Sequence, residues 1–215
     1  MSLDFPRTRS EFWEQLGFRT MTAFWLDQYL AIARSLDGTS HPEKYGEAIW
    51  RSRVTLKPRT SVDVERILGL ILGLGGDGTF HAYNVAKPWP LHDPDGSEIN
   101  GANVKIRALG DDNTSFALKN LIDYYALAIG DMGCATFGDN ERYLFKMAGY
   151  VEADNNGDTT VFQVQPPLPD GLAVNDDVTL DRPYGIFRIT PGSFTPPESD
   201  WQGIADGISF EIEEA

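Results

Sequence analysis

The chain has 215 residues, 41% of them hydrophobic, which is enough to bury a hydrophobic core. Its 18 Lys and Arg residues against 32 Asp and Glu residues give a net charge of -14, which argues against nucleic-acid binding because phosphate contacts need a local excess of basic residues. No apolar run approaches the roughly 18 residues of a membrane helix, and the first residues lack the layout of a secretion signal, so we expect a soluble protein without a membrane span.

Residues 1–21 are predicted to form an N-terminal arm. They carry Phe5, Phe12, Trp13 and Phe18 but show no sustained hydrophobic period. Such a segment has no core of its own. We therefore expect it either to pack on the sheet of its own chain or to dock on a neighbouring subunit.

Two strands are predicted in the region that follows. Residues 22–34 place apolar side chains on both parities, which indicates a strand with both faces partly covered. Residues 35–46 are rich in turn formers and are predicted to be a loop. Residues 47–57 alternate, with one parity facing the core, namely Ala48, Trp50, Ser52, Val54 and Leu56.

One helix is predicted over residues 61–74. Thr60 or Ser61 can cap its start, and the glycines at 73, 75 and 76 end it. Its apolar positions follow the spacing of one buried stripe: Val64, Ile67, Leu68, Ile71 and Leu74. A second short helix over about 115–126 is a weaker possibility.

Residues 88–183 are bounded by prolines and are predicted to form an inserted β-rich unit. Strand-like segments cover 103–108, 143–151 and 160–165. The last two flank the dipeptide Asn156-Gly157, which accepts positive φ in tight turns, so residues 143–165 are predicted to form a β-hairpin.

Strand patterns return at 185–190 and at the alternating residues Ile208, Phe210 and Ile212. A terminal strand that alternates so regularly must join a sheet, and the long early strands are its natural partners. The predicted fold is therefore mostly β (α+β). It consists of an outer β-sandwich, residues 22–87 plus 184–215 with the helix at 61–74, and a small barrel-like unit inserted at 88–183.

The segment Gly75–Thr79 resembles the Gly-Gly-Asp-Gly-Thr signature of NAD kinases and diacylglycerol kinases. In those enzymes a helix follows the motif, whereas here two prolines follow it and an amphipathic helix precedes it. A helix end followed by a turn explains the glycines without chemistry. We predict no enzyme, no catalytic residues and no cofactor, and a kinase-like activity is a remote alternative.

Two acidic loops, 93–98 and 154–158, look superficially like calcium loops but lack the spacing of an EF-hand. Turn chemistry accounts for both, and no metal site is predicted, a weak surface cation site being the alternative. The single Cys134 excludes an internal disulfide and fits a reducing compartment during assembly. A buried thiol is the favoured interpretation, because no histidine lies near it in sequence.

Several short elements occur in an order that resembles the distal tail and minor tail proteins of long-tailed, siphovirus-type bacteriophages. The resemblance covers roughly residues 22–215. It rests on a strand ending near Trp50, the helix and glycine run 67–80, Gly101-Ala102, Leu127-Ala128-Ile129-Gly130-Asp131, the segment 151–157, Pro166-Pro167-Leu168 and the closing residues 210–215.

The resemblance implies a structural virion protein with a tail-tube-like β-sandwich. Such a protein forms a homo-oligomeric ring, commonly a hexamer, at the distal end of the tail tube. The ring belongs to the baseplate and joins the tube to the hub, tail-fibre or receptor-binding proteins. It leaves a channel for DNA during genome ejection. The implied location is the virion tail, assembled in the host cytoplasm.

The family's Gly-Asp element has a physical interpretation in this chain. Gly130 makes a tight approach into a strand, and Asp131 accepts backbone hydrogen bonds at the turn. If some of the excess Asp and Glu residues line the ring lumen, DNA that passes through meets no groups that bind phosphate. No tight nucleic-acid binding is therefore expected.

Two other functions stay open. The first is another tail structural role, as a tube, terminator or hub-adaptor protein. The second is a carbohydrate-binding β-sandwich, suggested by Trp50, Trp89 and Trp201.

Overall fold

The computed structural model describes residues 4–27, 30–34, 40–44, 48–199 and 204–215, with the backbone alone for 30–34, 40–44 and 199. The fold is mostly β with one α-helix, as predicted. The chain divides into two compact units. The first unit comprises Met1–Phe80 and Phe187–Ala215, and the second comprises His81–Ile186.

The elements occur in the following order. Up to the second unit they are a 3-10 helix Trp13–Gln15, β1 Phe18–Met21, β2 Trp25–Asp27, β3 Leu30–Arg34, β4 Ser40–Lys44, β5 Ile49–Leu56, β6 Arg59–Thr60, α1 Ser61–Gly73 and β7 Phe80–Tyr83. They continue with β8 Lys105–Leu109, β9 Ser115–Lys119, β10 Ala126–Leu127, β11 Met132–Phe137, β12 Glu141–Met147, β13 Val151–Glu152, β14 Phe162–Gln165 and β15 Asp177–Thr179. The last are β16 Tyr184–Ile189, β17 Glu198–Ser199, β18 Ile204–Asp206 and β19 Ser209–Glu214.

The main sheet runs in the order β1-β5-β19-β16-β7, with β2 also paired to β5. The burial of β5 alternates as predicted: Trp50, Ser52, Val54 and Leu56 are buried, and the residues between them are not. β19 lies antiparallel to β5, with Phe210 opposite Val54. The prediction that the last strand joins an early one is confirmed.

The segment 22–34 is not one strand. β2 pairs with β5, whereas β3 pairs with β4 in a separate two-stranded sheet. The prediction of a loop over 35–46 is wrong for Ser40–Lys44, which is a strand; 35–39, 45 and 46 lie outside the described residues. Strand pairing depends on backbone hydrogen bonds, and a proline, which lacks the amide donor, is tolerated in an edge strand. In a two-stranded sheet both strands are edge strands, so Pro42 is compatible with β4.

The helix prediction is confirmed over Ser61–Gly73. The Thr60 hydroxyl accepts a hydrogen bond from the amide of Asp63, which satisfies one donor of the first turn. Val64, Ile67 and Ile71 are buried, and Leu68, predicted to share their stripe, is half-buried. α1 has 13 residues, fewer than a helix needs to cross a bilayer, and the described chain has no other α-helix.

Replacing Thr60 by alanine is expected to lower the free energy of unfolding by about 1 kcal/mol, because the amide of Asp63 loses its acceptor at the helix start. The measurement is urea unfolding followed by far-UV circular dichroism. Thr60→Ser keeps the hydroxyl and serves as the matched control. Equal losses in the two variants would contradict the capping role.

The N-terminal segment packs on the first unit rather than extending away from it. Phe12 and Trp13 are fully buried, with ring centroids 4.5 Å and 5.8 Å from that of Phe80. β1 pairs with β5. The segment was expected either to pack on its own chain or to dock on a neighbouring subunit. Phe12 and Trp13 pack on their own chain.

The second unit is built on a closed barrel with the strand order β11-β12-β14-β9-β8-β15. Its interior is apolar, and the ring of Phe116 packs edge-on against Phe145 and Phe162, each at 5.0 Å. The predicted barrel-like unit is therefore present.

Two local predictions in this unit are wrong. Residues 115–119 form β9 instead of a helix, because their apolar run is buried in the barrel between β8 and β14. β12 and β14 do pair, but β13 lies between them in sequence and pairs with β10, so residues 143–165 are not one hairpin. Gly157 has a φ of +75°, and a Cβ there would lie 2.0 Å from the carbonyl oxygen of Leu121. Asn156 has no positive φ, because the turn is held by hydrogen bonds to Asp154.

Candidate functional site

The glycine run 75–79 connects α1 to β7. Phosphate-binding loops of this kind connect a strand to a helix, which is the reverse order. The amide of Gly78 donates to the carbonyl oxygen of Leu74 at 3.0 Å, and a Cβ at Gly78 would lie 2.1 Å from that oxygen. The geometry favours the interpretation of this run as a helix end and turn.

The two acidic loops hold their carboxylates by local hydrogen bonds. Asp95 accepts from the amide and the hydroxyl of Ser97 at 3.1 and 2.8 Å, and these bonds lower the pKa of Asp95. Asp154 accepts from the amides of Asn156 and Asp158, and its pKa is lowered for the same reason. Within the described part of the chain, no group of three or more His, Cys, Asp and Glu side chains is placed to hold a metal ion.

Two of the tryptophans that suggested carbohydrate binding do not line an open groove. Trp50 is 1% exposed and packs near Phe24 in the core of the first unit. Trp89 is half-buried, and its Nε1 donates to Asp181 at 2.7 Å. Trp201 lies outside the described residues. Cys134 is buried, as predicted for an inert thiol.

The turn at Gly130 and Asp131 holds a buried carboxylate with several hydrogen-bond donors around it. Asp131 is fully buried. Its Oδ2 accepts from the amide of Ala128 at 2.8 Å, and its Oδ1 accepts from the amide of Leu91 at 3.0 Å and from Lys87 Nζ at 2.6 Å. The role inferred for Asp131 from sequence, as an acceptor of backbone hydrogen bonds, matches this geometry.

Gly130 has a φ of +88°, a conformation that glycine adopts without strain. Its amide donates to Met147 O at 2.9 Å, and the amide of Met147 donates to Asp131 O at 2.8 Å. Backbone hydrogen bonds thus join the turn to the end of β12, and the Asp131 side chain joins it to Lys87. No sequence pattern indicated Lys87, which lies 44 residues from Asp131.

A network of ion pairs crosses the main sheet of the first unit. Arg51 contacts Asp27 at 2.9 Å and Glu213 at 3.1 Å, and Arg188 contacts Glu213 at 2.9 Å. Glu213 lies on the parity of β19 opposite to the buried Phe210 and Ile212, yet it is only 5% exposed. The reason is that the two arginines on neighbouring strands cover and neutralise its carboxylate.

The β3–β4 hairpin is the most conspicuous surface for association. Its register runs from Leu30 opposite Lys44 to Arg34 opposite Ser40. Among the described strands, neither β3 nor β4 pairs with a third strand. Within the described part of the chain, each of the two strands therefore has one edge whose backbone donors and acceptors pair with no strand, which is a template for pairing with another chain.

Comparison with protein-family models gives no match, and no curated protein matches the sequence significantly.

Proposed function

We propose that the protein is a structural virion protein that forms a ring, commonly hexameric in the family it resembles, at the distal end of a phage tail tube. The ring links the tube to the hub or tail-fibre proteins. The observation that supports this most is the β3–β4 hairpin, a two-stranded sheet that is joined to no other described strand.

An isolated two-stranded hairpin is at best marginally stable in water, because it buries too little apolar surface. Packing or strand pairing with a second copy supplies what the hairpin lacks. The edge of the main sheet at β1 and β2 offers further backbone groups for such contacts. A closed ring satisfies these edges in every subunit, whereas an open chain of subunits leaves two ends.

The acidic composition suits a channel through which DNA moves. With a net charge of -14, a lumen that carries a share of the carboxylates holds no groups that bind phosphate. A ring structure with a channel lined mainly by Lys and Arg would contradict this part of the proposal.

The test is electron microscopy of the negatively stained, purified protein, together with light scattering after size exclusion. We expect rings of tail-tube diameter. Replacing residues 30–44 by a short Gly-Ser linker is expected to give a folded monomer, with the circular dichroism of the barrel retained. Leu72→Ser, an exposed change on α1, is the control that keeps the rings.

A wild-type protein that stays monomeric at all concentrations would overturn the proposal. Stacked tubes instead of single rings would favour a tube protein. A monomer that binds oligosaccharides would favour the carbohydrate-binding alternative.

A further inference from the structure

The small β10–β13 sheet and the residues that flank its strands carry two exposed tyrosines and two carboxylates. We call this surface the tyrosine face and define it by Tyr124, Tyr150, Glu152 and Asp154. β10 and β13 pair with Ala126 opposite Glu152 and Leu127 opposite Val151. Exposure alternates over residues 150–154, and Tyr124 and Tyr150 are 64% and 57% exposed.

The opposite face of the same sheet is anchored in the barrel core. Tyr125, Leu127, Val151 and Ala153 are at most 4% exposed and belong to the apolar cluster of the second unit. Because a side-chain period of two fixes which residues point outward, burial of this set forces the tyrosine face into solvent. Tyr150 and Asp154 are four positions apart, a span of about 13 Å in extended backbone.

The exposed groups are held in place. Tyr124 has a φ of +60°, which is an uncommon conformation for an aromatic residue, and its amide donates to the carbonyl oxygen of Asp154 at 3.3 Å. The Tyr150 hydroxyl donates to Glu152 at 3.1 Å. Little side-chain or backbone freedom is therefore left to lose on binding, which favours association.

The ionised side chains of the two segments that form this face have one sign. Residues 120–131 and 148–158 contain no Lys or Arg. The exposed carboxylates are those of Asp123, Glu152 and Asp154. The nearby Arg107 forms an ion pair with Asp158 at 3.2 Å. A second copy of the same face, a nucleic acid or an anionic membrane would be repelled, whereas a cationic partner is attracted.

We propose that the tyrosine face binds an arginine-bearing segment of another protein. Guanidinium groups stack on Tyr124 and Tyr150 and form ion pairs with Glu152 and Asp154. The chain already contains one such contact, since the guanidinium carbon of Arg142 lies 4.1 Å from the ring centroid of Tyr184. This proposal does not depend on ring formation, because the face belongs entirely to the second unit.

The test uses the full chain labelled with ¹⁵N and titrated with a tetra-arginine peptide, a tetra-lysine peptide and a neutral oligosaccharide. We expect chemical-shift changes confined to residues 122–129 and 149–154. Tetra-arginine should bind at least about 3-fold more tightly than tetra-lysine, because only the planar guanidinium group stacks on an aromatic ring while keeping its ion pairs.

Variants separate stacking from general attraction. Tyr150→Ala and Tyr124→Asn are each expected to weaken tetra-arginine binding about 3-fold; asparagine tolerates the positive φ at position 124, so the fold is kept. Asp77→Asn removes an exposed negative charge outside the tyrosine face. It is the control for general attraction of the cationic peptide to the acidic protein. Equal binding of the two peptides, or shift changes spread over the whole surface, would overturn the proposal. It would also be overturned if the control variant weakened binding as much as the tyrosine variants, or if only the oligosaccharide gave the expected shift changes.

Discussion

Replacing Asp131 by alanine is expected to lower the free energy of unfolding of the second unit by about 2–3 kcal/mol. The substitution leaves the buried amide of Ala128 and the amide of Leu91 without their acceptor. It also removes the ion partner of Lys87, which lies 2.6 Å from a fully buried carboxylate oxygen. Each unsatisfied donor adds a desolvation cost, which explains why the effect exceeds that of an ordinary ion pair.

Native-state hydrogen exchange of the β11 and β12 amides measures this effect, because those strands report on the barrel alone. The matched control is Asp177→Ala, which breaks the ion pair between Lys105 and Asp177. The side chain of Asp177 is 65% exposed. Exposed pairs contribute at most about 1 kcal/mol. An Asp131→Ala protein as stable as the control variant would show that water replaces the lost acceptor.

Replacing Glu214 by glutamine is expected to raise the free energy of unfolding at pH 8 by about 1–3 kcal/mol. Burial raises the pKa of Glu214 to about 7, although the amide of Trp50 donates to its carboxylate and acts in the opposite direction. The folded protein therefore binds more protons than the unfolded chain between about pH 4.5 and 7, and the stability contributed by this group falls as the pH rises through that window. Glu214 is only half-buried, so solvent screens its charge, and the expected gain in unfolding free energy lies below the value that a fully buried carboxylate would give.

The measurement is urea unfolding of wild type and variant at pH 5 and pH 8, followed by tryptophan fluorescence. The two proteins should differ little at pH 5, where Glu214 is protonated in the folded state, and most at pH 8. Glu65→Gln, on the exposed face of α1, is the control and should change the unfolding free energy by less than about 0.5 kcal/mol at either pH. A difference between wild type and Glu214→Gln that does not vary with pH would contradict the assignment.

Local patterns predicted the elements that are governed by local rules. The stripe of α1 and the alternation of β5 follow from periods of 3.6 and two, and Thr60 and Gly75 mark the helix boundaries by capping and by positive φ. The barrel-like character of the second unit followed from short strands separated by turn residues.

Apart from the pairing of β19 with β5, long-range contacts were outside the reach of those rules. β9 has an apolar run that fits a helix or a buried strand equally, and only its place between β8 and β14 decides. The Asn156-Gly157 dipeptide indicated a hairpin, but hydrogen bonds to Asp154 set another turn. Glu213 obeys the alternation of its strand yet is buried, because arginines on other strands cover it. In the same way, Lys87 became a partner of Asp131 only through tertiary structure.

The tyrosine face shows the same limit from the functional side. Tyr124 and Tyr150 belong to segments with no strong strand pattern, and their common face depends on the pairing of β10 with β13. The absence of basic residues from both segments was the one signal in the sequence that pointed to this region.

The position of β19 constrains the order in which the chain acquires its structure during translation. β19 lies between β5 and β16, and the hydrogen bond from Trp50 to Glu214 spans 164 residues. The central part of the first sheet is therefore incomplete until the ribosome has passed residue 214, whereas all barrel strands fall within residues 105–179. The barrel strands therefore leave the ribosome before β19 does, and until β19 emerges the early strand β5 has one edge that a chaperone can occupy.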